Sequence, residues 1–191
     1  MIVDTPYATV RRADESDRQV VLEILTAAFM NDPLACWLFP EESQRGRLQA
    51  HFYRPLLVHP AAEAYLAGGH EGASVWLTMT PGQVPAPETG QEGGRLLALG
   101  QALALLHPRR EPHLYLPCMG VVGGRQGTGL GSAMVRHRLA RADADGLPAY
   151  LEASSFRSRA LYQRHGFADV GEPVRVAGSP PLWPMWRQPH R

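Results

Sequence analysis

The ten residues Gly123-Gly124-Arg125-Gln126-Gly127-Thr128-Gly129-Leu130-Gly131-Ser132 separate two segments of opposite character. Before them runs His113 to Val122, HLYLPCMGVV, apolar and suited to a strand. After them, from about Gly129 to Ala144, Val135, Leu139 and Ala142 recur at helical spacing, and Gly146 stands just past the end. The stretch reads as strand, glycine turn, helix. Glycines at a helix start let the backbone approach a ligand with no Cβ in the way. The first N–H groups of a helix have no intrahelical acceptor, and with the helix dipole they favour an anion such as phosphate or diphosphate. On these residues alone, a plain helix start is as good a reading as a phosphate site.

Working outward, Ala8 to Ala13 reads as a first strand, with Asp14 as the N-cap of a helix carrying Val20, Val21, Ile24, Leu25, Ala28 and Phe29 on one face. Asn31-Asp32-Pro33 is expected to stop that helix. A short aromatic segment around Trp37-Leu38-Phe39-Pro40 follows, then a helix over Glu42 to Val58. Ala62 to Ala67 and Ala73 to Thr80 predict a β-hairpin about Gly68 to Gly72. Pro81 to Gly94 is expected to be loop, and Arg95 to His107 helix. Pro117 inside the next strand removes a ladder donor and predicts a bulge or splay. Pro148 to Ser154 reads as strand, Phe156 to about His165 as a short helix, and Ala168 to Val176 and Leu182 to Arg187 as final strands. The order is that of a mixed α/β fold, expected as one domain over residues 1–191.

Three phosphate binders compete for the turn. A P-loop needs a lysine after its glycines, and all 19 basic residues here are arginine. A dinucleotide fingerprint needs G-x-G-x-x-G early in the chain; here the spacing is G-x-G-x-G, two-thirds along. The third, Gln/Arg-x-x-Gly-x-Gly/Ala, is the pyrophosphate loop of coenzyme A acyltransferases, and Gln126, Gly129 and Gly131 match it. Further on, Tyr150-Leu151-Glu152-Ala153-Ser154 and Leu161-Tyr162-Gln163-Arg164-His165-Gly166-Phe167 follow at matching distances. Together these segments resemble the GNAT acyltransferase superfamily, most closely its puromycin N-acetyltransferase-like branch. Ala28 to Pro33 and Trp37 to Pro40 are similar more loosely.

The resemblance implies an α+β fold: a mixed, mostly antiparallel sheet of about seven strands, flanked by helices, with a splayed central strand pair. It implies acetyl-CoA as acetyl donor, with no metal. Residues 1–112 would form the acceptor side and 113–191 the acetyl-CoA side. By position, Met119, Gly120 and Val121 would hydrogen-bond the pantetheine arm through their backbone. Gln126, Gly127, Thr128, Gly129, Leu130, Gly131 and Ser132 would hold the pyrophosphate, with Arg125 and Gln126 adding side-chain contacts. Ser155 and Ser158 stand where relatives often carry Asn, and can still hydrogen-bond the pantetheine amides.

Acetyl transfer to an amine needs a base, since an alkylamine has a pKa of about 10, and an acid for the leaving thiolate. The resemblance places Tyr162 near the sulfur as the acid. Glu152 is the carboxylate in an otherwise apolar strand and the candidate base, probed against His113 and Tyr115 as weaker alternatives. Cys118 reads as a small buried thiol rather than a nucleophile. Phe29, Asp32, Trp37 and Trp76 are candidates for the acceptor site, as an acid among aromatics suits a cationic amine; core packing explains them equally well.

Composition narrows the partners. The net charge of +1 supplies no field for nucleic acid or an anionic membrane, and neither is expected. Cys36 and Cys118 are too few for a disulfide framework or zinc site. Met1 to Val10 lacks the look of a signal peptide, so a cytoplasmic protein is expected, as monomer or homodimer; the abundance of Ala, Gly, Arg and Pro, with Asn31 the one asparagine, suggests a bacterial, high-GC source. The acceptor is expected to be a small-molecule amine, with a peptide amine or a non-catalytic acyl-CoA-binding role as alternatives.

Overall fold

The computed structural model describes residues 9–85 and 94–190. The reading of residues 1–8, and that of 86–93 within the loop, lie outside them. The chain runs β1 (Val10–Arg12), α1 (Arg18–Phe29), α2 (Pro33–Leu38), α3 (Glu42–Val58), β2 (Ala62–Ala67), β3 (Gly72–Met79), α4 (Gly94–Leu106), β4 (His113–Val121), α5 (Leu130–Ala144), β5 (Ala149–Ala153), α6 (Phe156–Gln163), β6 (Ala168–Asp169) and β7 (Trp183–Arg187). The strands form one seven-stranded sheet in the order β1-β2-β3-β4-β5-β7-β6. Every neighbouring pair is antiparallel except β4 and β5.

Asp14 starts the first helical segment as expected, in a reciprocal capping box with Asp17 at the head of a 3-10 turn that leads into α1. Val21 and Leu25 of α1 and Tyr53 of α3 then pack on one face of the sheet against Leu66, Val75 and Cys118. On the other face, Val135 and Leu139 of α5 meet Trp76, Leu114 and Leu151. Burying a side chain such as Leu25 contributes about 1.5–3 kcal/mol. A third cluster ties Leu99 of α4 to Val174 and Leu182.

Two expectations are corrected. Pro33 does end α1, but it also opens α2: its missing N–H costs nothing at a first helical position, and the Asp32 carboxylate caps the N–H groups of Leu34 and Ala35 at 2.9 and 3.2 Å. The strand expected over Ala168 to Val176 shrinks to β6, with only a single bridge from Val174 to Leu182 beyond it. Gly171 and Gly178, at φ of 74° and 77°, turn that segment off the sheet.

Candidate active site

The parting of β4 from β5 makes the site. β4 pairs with β5 only from Leu114 to Leu116, opposite Ala149 to Leu151. On its other side β4 stays with β3 as far as Val121. Between Tyr115 and Cys118 it carries one residue more than β3 does between Leu77 and Val75. That extra residue is a bulge at Leu116-Pro117, and the two strands diverge from it. A cleft of about 680 Å³ fills the gap.

At one end of the cleft lies the glycine turn. Gly129 is the N-cap of α5 at φ 92°, a conformation that a residue with a Cβ rarely adopts, and the space where a Cβ would stand is open. Among the described residues, the backbone N–H groups of Gln126 to Ser132 donate to no other group, while Ala133 N–H already bonds Gly129 C=O. This run of free donors at a helix start fits a diphosphate. Gln126, Gly127, Gly129, Gly131 and Ser132 line the cleft.

The side chains of Arg125, Thr128 and Leu130 do not line it. Arg125 pairs with Glu71 at 2.8 Å, the Thr128 hydroxyl donates to Arg125 C=O at 2.7 Å, and Leu130 packs against Ala67 and Met134. The contact expected of the Arg125 side chain is thus taken by Glu71, whereas Gln126 is positioned by Arg157 at 3.1 Å.

Met119, Gly120 and Val121 line the cleft along β4. Gly120 is glycine for a reason that sequence reading missed: a Cβ there would sit 2.6 Å from Ala28 Cβ, so α1 can lie against β4 only because nothing projects. Ser155 and Ser158 also line the cleft, and each already serves in a capping box at the start of α6, Ser158 N–H donating to Ser155 Oγ and Ser155 N–H to Ser158 Oγ, both at 3.1 Å.

Tyr162 and Glu152 reach the same cleft from α6 and β5. The Tyr162 ring is buried against Phe167, and among the described residues its hydroxyl has no hydrogen-bond partner. Burial first, and the nearby Cys118 thiol second, raise its pKa above the usual phenol value, so the group is protonated at neutral pH. Glu152 Oε2 accepts from Tyr115 Oη at 2.9 Å, while Oε1 is shut from water with no partner. Tyr150 favours the charged carboxylate at longer range, yet its own hydroxyl is also unpartnered. Burial outweighs these donors and lifts the Glu152 carboxyl to about 7.

The acceptor-side prediction divides. Phe29 and Asp32 line the cleft; Trp37 and Trp76 do not. Trp76 is wholly buried on the α5 face, its indole N–H donating to Ser74 Oγ at 3.1 Å. Trp37 packs in the Leu99 cluster with the Arg95 guanidinium 5.4 Å from its ring centroid. Both expectations are therefore corrected: these are packing residues. Burial raises the Asp32 carboxyl, against the Ala35 and Leu34 N–H bonds that pull it down.

The lining residues not singled out in the sequence include Gln49, Tyr53 and His107. Gln49 is 1% exposed; its amide nitrogen donates to Met30 Sδ at 3.6 Å and its oxygen has no partner. It lies in helical phase with Phe52, Tyr53 and Leu56, and a polar residue inside an apolar stripe was the signal available. His107 Nε2 lies 3.0 Å from His113 Nε2, and His113 Nδ1 lies 3.1 Å from Glu111 C=O. That carbonyl can only accept, so His113 Nε2 is the bare nitrogen and His107 Nε2–H the donor. Burial, then the neighbouring His113, depresses His107 to about 4, which keeps it neutral. Cys118 also lines the cleft, with burial pushing its thiol up to about 12, as suits an inert side chain.

Comparison with known proteins agrees with this geometry. Residues 55–167 match the acetyltransferase (GNAT) family. A histone acetyltransferase HPA2 and related acetyltransferase structure from Corynebacterium glutamicum is 27% identical, with 97% of this chain and 98% of that one covered and a TM-score of 0.72. Arylalkylamine N-acetyltransferase 2 from Aedes aegypti shares the fold at 13% identity, 97% and 100% coverage and a TM-score of 0.74. A GCN5-related N-acetyltransferase from Rhodopseudomonas palustris does so at 13% identity, 96% and 97% coverage and a TM-score of 0.58. With more than half its length matched by that family's model, the chain belongs to the acetyltransferase (GNAT) family, whose members transfer acetyl groups from acetyl-CoA.

Proposed function

We propose that the protein moves the acetyl group of acetyl-CoA to the primary amine of a small molecule, by direct attack within a complex that holds both reactants. The observation that carries this reading is the meeting of two acid–base groups in one cleft: the Tyr162 hydroxyl, which has no protein partner among the described residues, and the Glu152 carboxyl, whose Oε1 makes no close hydrogen bond while Tyr150 favours its charge from farther off. An unpaired buried polar atom such as Glu152 Oε1 costs about 1–3 kcal/mol, so its presence where substrate must lie favours a chemical role. The donor supplies an acyl carbon activated as a thioester. Glu152, poised near neutral pH, takes the ammonium proton, directly or through a water that enters with the amine, and Tyr115 holds one carboxylate oxygen in place. As the amine nitrogen bonds the acyl carbon and the carbon–sulfur bond breaks, Tyr162 Oη gives its proton to the sulfur; the nitrogen loses its second proton on becoming an amide and this restores the phenol, while Glu152 returns its own proton to solvent. The free N–H groups of Gln126 to Ser132 hold the diphosphate, and the backbone of Met119 to Val121 orients the arm.

The whole chain would act as one unit, residues 1–112 forming the acceptor side and 113–191 the donor side. Of the arginines that line the cleft, Arg157 stands with the glycine turn, while Asp32, Gln49 and Glu152 line it along with Phe29, Leu99 and Leu103. Acceptors of hydrogen bonds within apolar walls suit an ammonium on an apolar or aromatic body and disfavour a free carboxylate beside it. An arylalkylamine is one such acceptor, and the aminonucleoside acceptors suggested by the resemblance to the puromycin N-acetyltransferase-like branch are another. Thiol release from acetyl-CoA, followed across arylalkylamines, puromycin-type aminonucleosides, free amino acids, aminoglycosides and peptides, tests the reading. Turnover confined to peptides or amino acids would overturn the acceptor assignment, and CoA binding without turnover of any amine would overturn the enzyme.

A further inference from the structure

Ser132 sits in the first turn of α5, lines the cleft beside the glycine turn, and has its hydroxyl oxygen 2.6 Å from His165 Nε2. His165 lies just past the end of α6, where its C=O accepts from Arg187 Nε at 2.9 Å. Arg187 is itself clamped on Asp143 by bonds of 2.7 and 2.8 Å. The backbone at His165 is therefore anchored by the Arg187–Asp143 ion pair, and its ring meets the turn at Ser132. Nothing in the roles given to the Leu161 to Phe167 segment so far uses this ring.

A hydroxyl has one proton to give. If Ser132 donates to a bare Nε2, its oxygen offers only lone pairs to the cleft, and an anion there is repelled. If Nε2 carries the hydrogen and donates to Ser132 Oγ, the serine proton is free to point into the cleft. An anion bound on the neighbouring N–H groups of Gly129 to Ser132 selects the second arrangement. It gains a hydroxyl donor already oriented by a second hydrogen bond, and chains of this kind strengthen each member. We propose that His165 is a positioning residue for donor binding: through Nε2–H it sets the Ser132 hydroxyl as a donor to the diphosphate of the acyl-CoA substrate. The proposal rests on the assignment of the glycine turn as the diphosphate site.

Calorimetric binding of CoA, and of pantetheine, which lacks the diphosphate and nucleotide, tests it. Replacing His165 with Leu is expected to weaken CoA binding about 10-fold, the worth of one hydrogen bond to a charged group. Pantetheine binding should stay within about twofold, which a merely structural role for the ring would not preserve. His165→Gln keeps an N–H near the position of Nε2 and should restore CoA affinity to within about threefold of the native chain. Ser132→Ala, a milder change for folding, should reproduce the loss, and adding His165→Leu to it should cost nothing more. Equal CoA affinity in His165→Leu and the native chain, a parallel loss for pantetheine, or additive losses in the double variant would each overturn the role of His165. Failure of the native chain to bind CoA would instead overturn the assignment of the turn.

Discussion

The two ends of the cleft are built from different parts of the polypeptide. The proposed donor end offers backbone N–H groups, displayed by Gln126 to Ser132 within one short stretch of sequence. The proposed acceptor end offers side chains, Asp32 from the cap of α2, Gln49 from α3 and Glu152 from β5, brought together by packing of elements far apart in the chain. A backbone site depends on conformation and tolerates many side chains, provided that none intrudes. A side-chain site depends on identity at each position. One end should therefore fail when something is added, the other when something is removed.

The largest effect is expected from adding bulk and charge to the donor end. Gly129→Glu puts a side chain on a φ of 92° and a negative charge where the anion belongs. CoA should give no measurable heat on titration into the folded variant; native-like affinity would remove the contrast between the ends altogether. Next comes the chemistry between them. Tyr162→Phe deletes one hydroxyl and is expected to lower kcat about 10²-fold, the lower end for an acid–base group, with little change in the KM for acetyl-CoA. Stopped-flow thiol release would read both, and a change in kcat below about threefold would mean that another group protonates the sulfur.

At the acceptor end, removal should suffice. Gln49→Leu keeps the volume and loses the unpartnered oxygen, and is expected to raise the amine KM about 10-fold while leaving the KM for acetyl-CoA alone. Trp37→Phe, changing a residue outside the cleft, should move neither by more than about twofold. Equal effects from the two would show that general packing, not a specific contact, sets acceptor affinity. The last effect concerns stability. The Glu152 carboxyl rises from 4.5 to about 7 on folding, so the folded chain binds that proton more tightly than the unfolded one. The stabilisation this brings is whole below 4.5 and lost as pH rises through 7. Glu152→Gln should match the native Tm at pH 4.5 and exceed it by about 6–12 °C at pH 8, since a rise from 4.5 to about 7 is worth about 3 kcal/mol and each kcal/mol shifts a chain of this size by about 2–4 °C. An equal difference at both pH values would contradict the buried, proton-binding carboxyl.

This division also explains what could be read from the sequence. The glycine turn, the Pro117 bulge, the Asp14 cap, Glu152 and Tyr162 are local signals, and each appears in the structure where the chain order puts it. Trp76 could not be assigned a side from its strand alone. Nearly every position of β3 is buried, so the alternation that separates a core face from a site face is missing. Trp37 was misplaced with it, because the Leu99 cluster that claims it draws on α4 and the segment before β7. Gln49 carried a signal, a polar residue in phase with Phe52 and Leu56, whose meaning emerged only once α1 and α3 had closed over it.

The early parting of β4 from β5 has a cost as well as a use. The outer strands of the sheet are short, three residues in β1 and two in β6, which leaves little for another chain to pair with. Past Leu116, however, no strand among the described residues lies on the β5 side of β4, which leaves an open edge at the centre of the sheet they form. Such an edge is a template for stray strands, guarded here by its depth between helices and by Pro117, which offers no N–H. An extended ligand lying in the cleft is, in effect, the missing strand. The chain in a cell rich in that ligand should resist aggregation better than the same chain purified without it.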